Sequence, residues 1–266
     1  MTGHAFLREV PDSFVRCITA APVSPPLDPR LARRQHRAYR EALEAGGFGT
    51  SLLTADEVHP DGSFIEDAAV VLDERALATR PGHPSRRGEV APVAAALAEI
   101  MPVLFVEEPG CLDGGDVLTV GDRVFVGISG RTNRDGIDAL ARFAGPRRRV
   151  VPVEVTGVLH LKSAVTALDE RTLLMEPGRV DPMRFDGLDI VLTAPGEDHA
   201  ANVVRLADGR ILMGAASPET ADRIVAAGFE VVAVDVSEFG RADGGLTCLS
   251  IRIRPGLASS ARILSA

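Results

Sequence analysis

The sequence contains no uninterrupted apolar run long enough to cross a bilayer. Its most apolar longer stretch, residues 90–106, is broken by Pro92, Glu99 and Pro102. Residues 1–20 lack the basic start and continuous apolar core of an export signal, because Arg8, Glu9, Asp12 and Arg16 interrupt them. A soluble, cytoplasmic protein is therefore expected. Positive charge is also in short supply: 29 Lys and Arg face 37 Asp and Glu, for a net charge of -8 and a pI near 5.3. That balance argues against nucleic acid and anionic membranes as partners, since both need a basic face, but it suits a small cationic ligand. The basic run Arg147-Arg148-Arg149 reads as a solvated loop and is given no function. Cysteine is sparse. Cys17, Cys111 and Cys248 are an odd number without metal-finger spacing, which points to a reducing compartment.

What the chain does have is enough apolar residue, 45% of 266, to bury a large core. A single domain spanning residues 1–266 is expected, with a small, polar, poorly ordered tail at 255–266. Four hairpins can be read at 69–79, 117–127, 164–175 and 203–214, each a pair of Val, Leu and Ile-rich runs around a tight polar turn. The turns fall near residues 74, 122, 170 and 209, two equal intervals and a shorter third. Helices follow three of them. They are read from Ser85 through Ile100, from Thr132-Asn133 through Phe143, and from Ser217-Pro218-Glu219 through Ala227, each leading to another strand. After the third hairpin, residues 176–187 are rich in Pro, Gly and Asp and read as loop or short helix.

The unit is strand, strand, helix, strand. A fifth copy is assembled from both ends of the chain: strands at 14–18 and 49–53, a helix at 29–45 and a last strand at 249–253. Repeats that cannot bury their own apolar faces favour a closed ring in which neighbours bury each other. The alternative is an ordinary α/β sandwich whose hairpin spacing is coincidental.

The out-of-place polar residues all lie just before, or at, the first strand of a repeat. They occur in Phe64-Ile65-Glu66-Asp67, Leu112-Asp113-Gly114-Gly115-Asp116, Leu159-His160-Leu161-Lys162-Ser163, Ala200-Ala201-Asn202 and Asp243-Gly244-Gly245-Leu246-Thr247-Cys248. In a ring, corresponding positions converge, which would gather carboxylates, a histidine and a thiol around one cavity. Carboxylates are natural receptors for a planar guanidinium, and its resonance-stabilised carbon needs a strong nucleophile and a proton donor for the leaving amine. Bland readings stand beside this one. A lone cysteine is usually a buried small hydrophobe, His160 between two leucines can be a core histidine, and Asp113 and Asp116 beside glycines can simply make a turn.

At these residues the sequence resembles the dimethylarginine dimethylaminohydrolases of the guanidino-group-modifying, or pentein, superfamily. The resemblance spans nearly the whole chain and also includes Thr79-Arg80-Pro81-Gly82 with Ser85-Arg86-Arg87, and Arg131-Thr132-Asn133. It implies an α/β fold, the pentein five-bladed ββαβ propeller, closed as a pseudo-fivefold ring. It further implies that Cys248 is the nucleophile and His160 the acid and later the base, with Asp113 completing the catalytic set. Asp67 and Asp113 would hold the guanidinium with support from Glu66, Asp61 would take the substrate amino group, and Arg86 and Arg131 its carboxylate. Ile18 and Ala242 would complete the substrate-binding set. The implied substrate is a methylated arginine, with no metal or organic cofactor, and a homodimer is left open. Ile18 stands where a leucine is common, His59 where an aromatic is usual and Asp113 where some relatives have glutamate.

Three other readings compete. The same set serves arginine deiminases and amidinotransferases. A non-catalytic ring protein would be expected to lose the thiol and histidine and to be basic, and a cysteine amidase would not need so many carboxylates. Cys248 and His160 alone do not make a structural zinc site.

Overall fold

The computed structural model describes residues 3–197 and 199–253, and in it fifteen short strands form five three-stranded sheets around a common axis. Blade 1 takes β1 (Gly3–Arg8), helix α1 (Pro29–Ala45) and β2 (Phe48–Leu53). Blade 2 follows with β3 (Ala69–Leu72), β4 (Arg75–Ala78), α2 (Val90–Ala98) and β5 (Val103–Phe105), and blade 3 with β6 (Val117–Val120), β7 (Arg123–Ile128), α3 (Arg134–Ala144) and β8 (Arg149–Glu154). A single helical turn, α4 (Leu161–Ala164), leads into blade 4, made of β9 (Val165–Ala167), β10 (Thr172–Met175) and β11 (Asp189–Leu192). Blade 5 holds β12 (Val204–Arg205), β13 (Ile211–Gly214), α5 (Pro218–Ala226) and β14 (Val231–Val234), after which α6 (Ser237–Arg241) leads to β15 (Ile251–Ile253).

In blades 2 to 5 an antiparallel hairpin is extended by a parallel third strand. The first blade repeats that order with its inner strand supplied by the far end of the chain, since β15 pairs antiparallel with β1 and β1 parallel with β2. This sheet closes the ring.

The core shows why a ring forms. Each of the five apolar clusters joins two neighbouring blades: Phe6 and Ile251 pack with Ile65 and Leu97, Leu72 and Leu77 with Val124 and Leu140, and Phe125 with Leu173 and Phe185. Leu174 packs with Val203 and Ile211, and Leu212 and Val234 with Leu7 and Tyr39. Among the described residues no blade has a core of its own, so closure removes apolar surface that an isolated blade would leave in water.

Three polar struts tie blades together at the inner ends of their first strands. Asp67 Oδ1 accepts the Gly115 N–H at 2.8 Å, Asp116 Oδ1 accepts the Leu161 N–H at 2.9 Å, and Asn202 Oδ1 accepts the Thr247 N–H at 2.8 Å. Each carries one blade's side chain to the backbone that opens the next. They register the blades.

One expected element is wrong. Residues 14–18 are not a strand; a 3-10 turn occupies Asp12–Arg16, and the strand is β1, whose Ala5 and Leu7 are fully buried. Pro11 precedes the turn, Glu57 accepts the Asp12 and Ser13 N–H groups, and Phe14 and Cys17 turn inward at a helical spacing of three. The helix expected from Ser85 is a 3-10 segment, Pro84–Glu89, followed by α2. Ser217 makes no capping bond; Glu197 accepts the Glu219 and Thr220 N–H groups instead. The tail at 255–266 lies outside the described residues.

Candidate active site

Three short turns at the inner ends of blades 2, 3 and 1, Ile65–Ala68, Gly114–Asp116 and Thr247–Leu249, carry Glu66, Asp67, Asp116 and Cys248, with Asp113 just before the second. Each breaks the approach to a strand, so a side chain that alternation would send into the sheet is presented at the ring centre instead. The first turn packs against the other two, and α4 packs against the second. Two glycines make the approach close enough. A Cβ on Gly114 would lie 2.0 Å from the Glu66 carbonyl oxygen, and one on Gly115 would lie 2.7 Å from both Asp67 Oδ1 and His160 Nδ1.

His160 is buried, and its Nε2 lies 3.0 Å from Asp113 Oδ2 and 3.9 Å from Asp67 Oδ1. Burial disfavours the imidazolium, but Asp67, the Asp113 hydrogen bond and the nearby Asp116 outweigh it and raise the histidine to about 9. The ring therefore holds its proton at neutral pH and donates to Asp113. Burial alone would lift Asp67; His160, then Arg86 and the Gly115 N–H, hold it below the ordinary carboxylate range instead. Asp113 is wholly buried and accepts the Gly82 N–H through Oδ1 at 2.8 Å.

Cys248 is 9% exposed, in contrast to a flexible surface thiol, and burial followed by the Glu66 and Asp67 charges pushes it up to about 12. At rest it is a thiol. A cation entering beside it would lower the cost of the thiolate. Ligand atoms of Asp67, Asp113 and His160 fall within 4.8 Å of one another. The imidazole nitrogen that lies nearest these carboxylates is the one bonded to Asp113.

The remaining expected residues fall into two groups. Asp61 is buried, and both its oxygens face the Ile18 N–H, at 3.1 and 3.4 Å; burial raises its carboxyl, opposed by Arg86 and that N–H. Arg131 NH1 is buried without a hydrogen-bond partner, 3.8 Å from Asp113 Oδ2. Arg86 is differently placed. Its donors go to Asp67 Oδ2 at 2.5 Å, to the Glu89 carboxylate at 2.7 to 3.2 Å and to the Phe64 and Asp61 carbonyls. Ala242 is buried in the same apolar cluster as Cys248 and precedes Asp243, whose carboxylate accepts the Ala20 N–H.

Glu66 diverges from its neighbour Asp67. Its Oε1 accepts from Lys162 Nζ at 2.6 Å and Arg252 NH2 at 3.1 Å, and it lines a cavity of about 460 Å³ with Lys162, Arg252 and Ser250. That cavity is lined by neither His160 nor Cys248, so it is not where the chemistry is placed. Sequence reasoning missed Lys162, Arg252 and Asn202 as structural partners. The signal for Asn202 was its place in the repeat; nothing local marked Arg252.

A model of the arginine deiminase family matches residues 106–189. The N(G),N(G)-dimethylarginine dimethylaminohydrolase of Streptomyces coelicolor is 46% identical over 231 residues, 86% of this chain and 88% of the relative. The chain belongs to the dimethylarginine dimethylaminohydrolase family. The Pseudomonas aeruginosa member is 34% identical over 257 residues, covering 95% of this chain and 100% of that one. A solved structure of that bacterium's enzyme, a cysteine-to-serine variant complexed with citrulline, superposes with a TM-score of 0.90 at 32% identity over 95% of this chain and 100% of the other. A histidine-to-glycine variant of a dimethylarginine dimethylaminohydrolase, an adduct with S-methyl-L-thiocitrulline, gives 0.89 at 32% identity and the same coverage. Family and fold agree with the expected pentein ring.

Proposed function

We propose that this chain hydrolyses Nω,Nω-dimethyl-L-arginine, and the monomethyl form, to L-citrulline and the corresponding methylamine. The observation that carries the reading is the buried Cys248 thiol, which feels the Asp67 charge, with Asp67 in turn beside His160 and its partner Asp113, in a chain 46% identical to a dimethylarginine dimethylaminohydrolase. Asp67 and Asp113 receive the guanidinium, and its positive charge stabilises the Cys248 thiolate, whose proton passes to solvent because His160 already carries one. The sulfur attacks the guanidinium carbon. His160 gives its proton to the departing nitrogen, the C–N bond breaks and a thiouronium remains. Neutral His160 then takes a proton from water, whose oxygen attacks the same carbon; the C–S bond breaks and citrulline leaves.

At the amino-acid end, Asp61 takes the α-amino group and Arg131, with a spare N–H group, takes the carboxylate. Arg86 reaches that carboxylate only by exchanging partners, because its donors are occupied. Ile18 contributes backbone at the substrate's mouth, Ala242 shapes the wall near Cys248, and Glu66 supports the floor through Lys162 and Arg252. Cytoplasmic residence and a homodimer go with this reading; light scattering on the purified protein tests the second. Among the described residues no helix is long and apolar enough to cross a membrane.

The arginine deiminase match at residues 106–189 favours plain arginine as the second reading. Citrulline release measured with arginine, monomethylarginine and dimethylarginine separates them. Dimethylarginine turned over at least as fast as arginine supports the proposal, and turnover of arginine alone overturns it.

A further inference from the structure

Asp116 is wholly buried and has no place among the groups that face the thiol, yet its carboxylate is the meeting point of three segments that carry site residues. Its Oδ1 accepts the N–H of Leu161, the residue after His160, at 2.9 Å. Its Oδ2 accepts from Thr132 Oγ1 at 2.6 Å and from Ser129 Oγ at 2.6 Å. The two hydroxyls are themselves acceptors: the Asp113 N–H donates to Thr132 Oγ1 at 3.2 Å, and the Arg131 N–H to Ser129 Oγ at 3.0 Å.

A hydroxyl has one proton and two lone pairs, so with a backbone N–H on one lone pair of Thr132 and of Ser129 both protons are free to point at Asp116. A proton on Asp116 Oδ2 could serve only one of the two hydroxyls, whereas the ionised carboxylate satisfies both hydroxyls and the Leu161 N–H. Gly127 makes room for it, since a Cβ there would lie 2.4 Å from Asp116 Oδ1.

We infer that Asp116 is a positioning residue for the reaction: as a buried anion it holds the backbones of Asp113, Arg131 and His160 in one register and adds a negative charge behind the imidazolium. The inference rests on the roles proposed above for those three residues. Burial, the largest influence, leaves Asp116 raised, while His160 and the Ser129, Thr132 and Leu161 donors favour its anion, so anion and imidazolium stabilise each other. The charged groups facing His160 are Asp67 from blade 2 and Asp113 and Asp116 from blade 3, with Arg86 behind Asp67 and Arg131 beside Asp113. Lys162, on the same turn as His160, is committed to Glu66.

Asp116→Asn keeps the size but removes the charge and one acceptor. The expected result is a folded protein whose kcat/KM falls by about 100-fold, the scale of a roughly 1 Å misplacement of reacting groups. His160, followed by NMR of 15N-labelled histidine without substrate, loses its proton at lower pH than in the native chain. The two hydroxyls divide the effect: Thr132→Val acts through Asp113 and lowers kcat with KM held, while Ser129→Ala acts through Arg131 and raises KM with kcat held. A folded Asp116→Asn variant with kcat/KM within about threefold of native, or with unchanged His160 titration, overturns the inference. If that variant does not fold, Thr132→Val and Ser129→Ala decide: a change in melting temperature alone, without the kcat and KM split, overturns it. The His160 titration uses no substrate. It therefore judges Asp116 even if the proposed hydrolysis of methylated arginine fails.

Discussion

The two ends of the proposed substrate site are built differently. At the proposed reacting end, Asp67, Asp113 and His160 are buried, and each carboxylate also accepts a backbone N–H from another segment, Gly115 to Asp67 and Gly82 to Asp113. At the proposed amino-acid end, Asp61 is held by the N–H of Ile18 on an irregular segment, and Arg131 NH1, 3.8 Å from Asp113 Oδ2, makes no hydrogen bond among the described residues. One end is preorganised by the ring. The other is finished by loop backbone and, on the proposed reading, by the substrate's carboxylate, so mutation should cost more in chemistry than in the selection of substrate.

The largest effect should come from the nucleophile. Cys248→Ser is expected to lower turnover by more than about 10⁴-fold with little change in melting temperature, because only one atom of a buried side chain changes. Retained activity would remove the distinction between the two ends altogether. Asp113→Asn should lower kcat by about 10² to 10³-fold, since His160 loses its hydrogen-bonded anion and the guanidinium one receptor. At the other end the loss should appear in KM: Arg131→Gln is expected to raise KM about 10 to 100-fold with kcat nearly unchanged. Steady-state kinetics on both variants would blur the comparison if the two parameters moved together.

A smaller effect is expected in stability against pH. His160 has its folded value raised to about 9 from an ordinary 6.5, so its protonation stabilises the fold fully below about 6.5 and that contribution is lost as pH rises through about 9. Thermal melts of the native chain should therefore fall across that window more than those of His160→Asn. The smallest effect belongs to Ile18→Ala, a rise of about two- to fivefold in KM, because its N–H bond to Asp61 survives while side-chain packing at the mouth is lost.

The repeat was legible because each copy is written in local terms: apolar pairs around Asp73-Glu74, Gly121-Asp122, Asp169-Glu170 and Asp208-Gly209 all became hairpins. Blade 1 was harder. Its inner and middle strands come from opposite ends of the chain, and β1 was overlooked because Gly3–Arg8 ends in a charged residue that the fold buries, while residues 14–18 mimic a strand. Convergence of Asp67, Asp113 and His160 followed from their register in the repeat. The opposite bonding of Glu66 and Asp67 did not, because adjacent residues in a 3-10 turn part company according to partners such as Arg252, which lies 186 residues away. The engagement of Arg86 with Glu89 is local in sequence, but its bond to Asp67 depends on how the turn before β3 meets the segment before α2.

The central claim is that Cys248 becomes covalently bonded to the guanidinium carbon of a methylated arginine. Acid quenching of the reaction with Nω,Nω-dimethylarginine in the steady state, followed by peptide mass spectrometry, tests it most directly. The account predicts a substrate-derived adduct on the peptide containing Cys248 that disappears as substrate is exhausted. Turnover without any adduct on Cys248, or with the adduct on Cys17 or Cys111 instead, would contradict it.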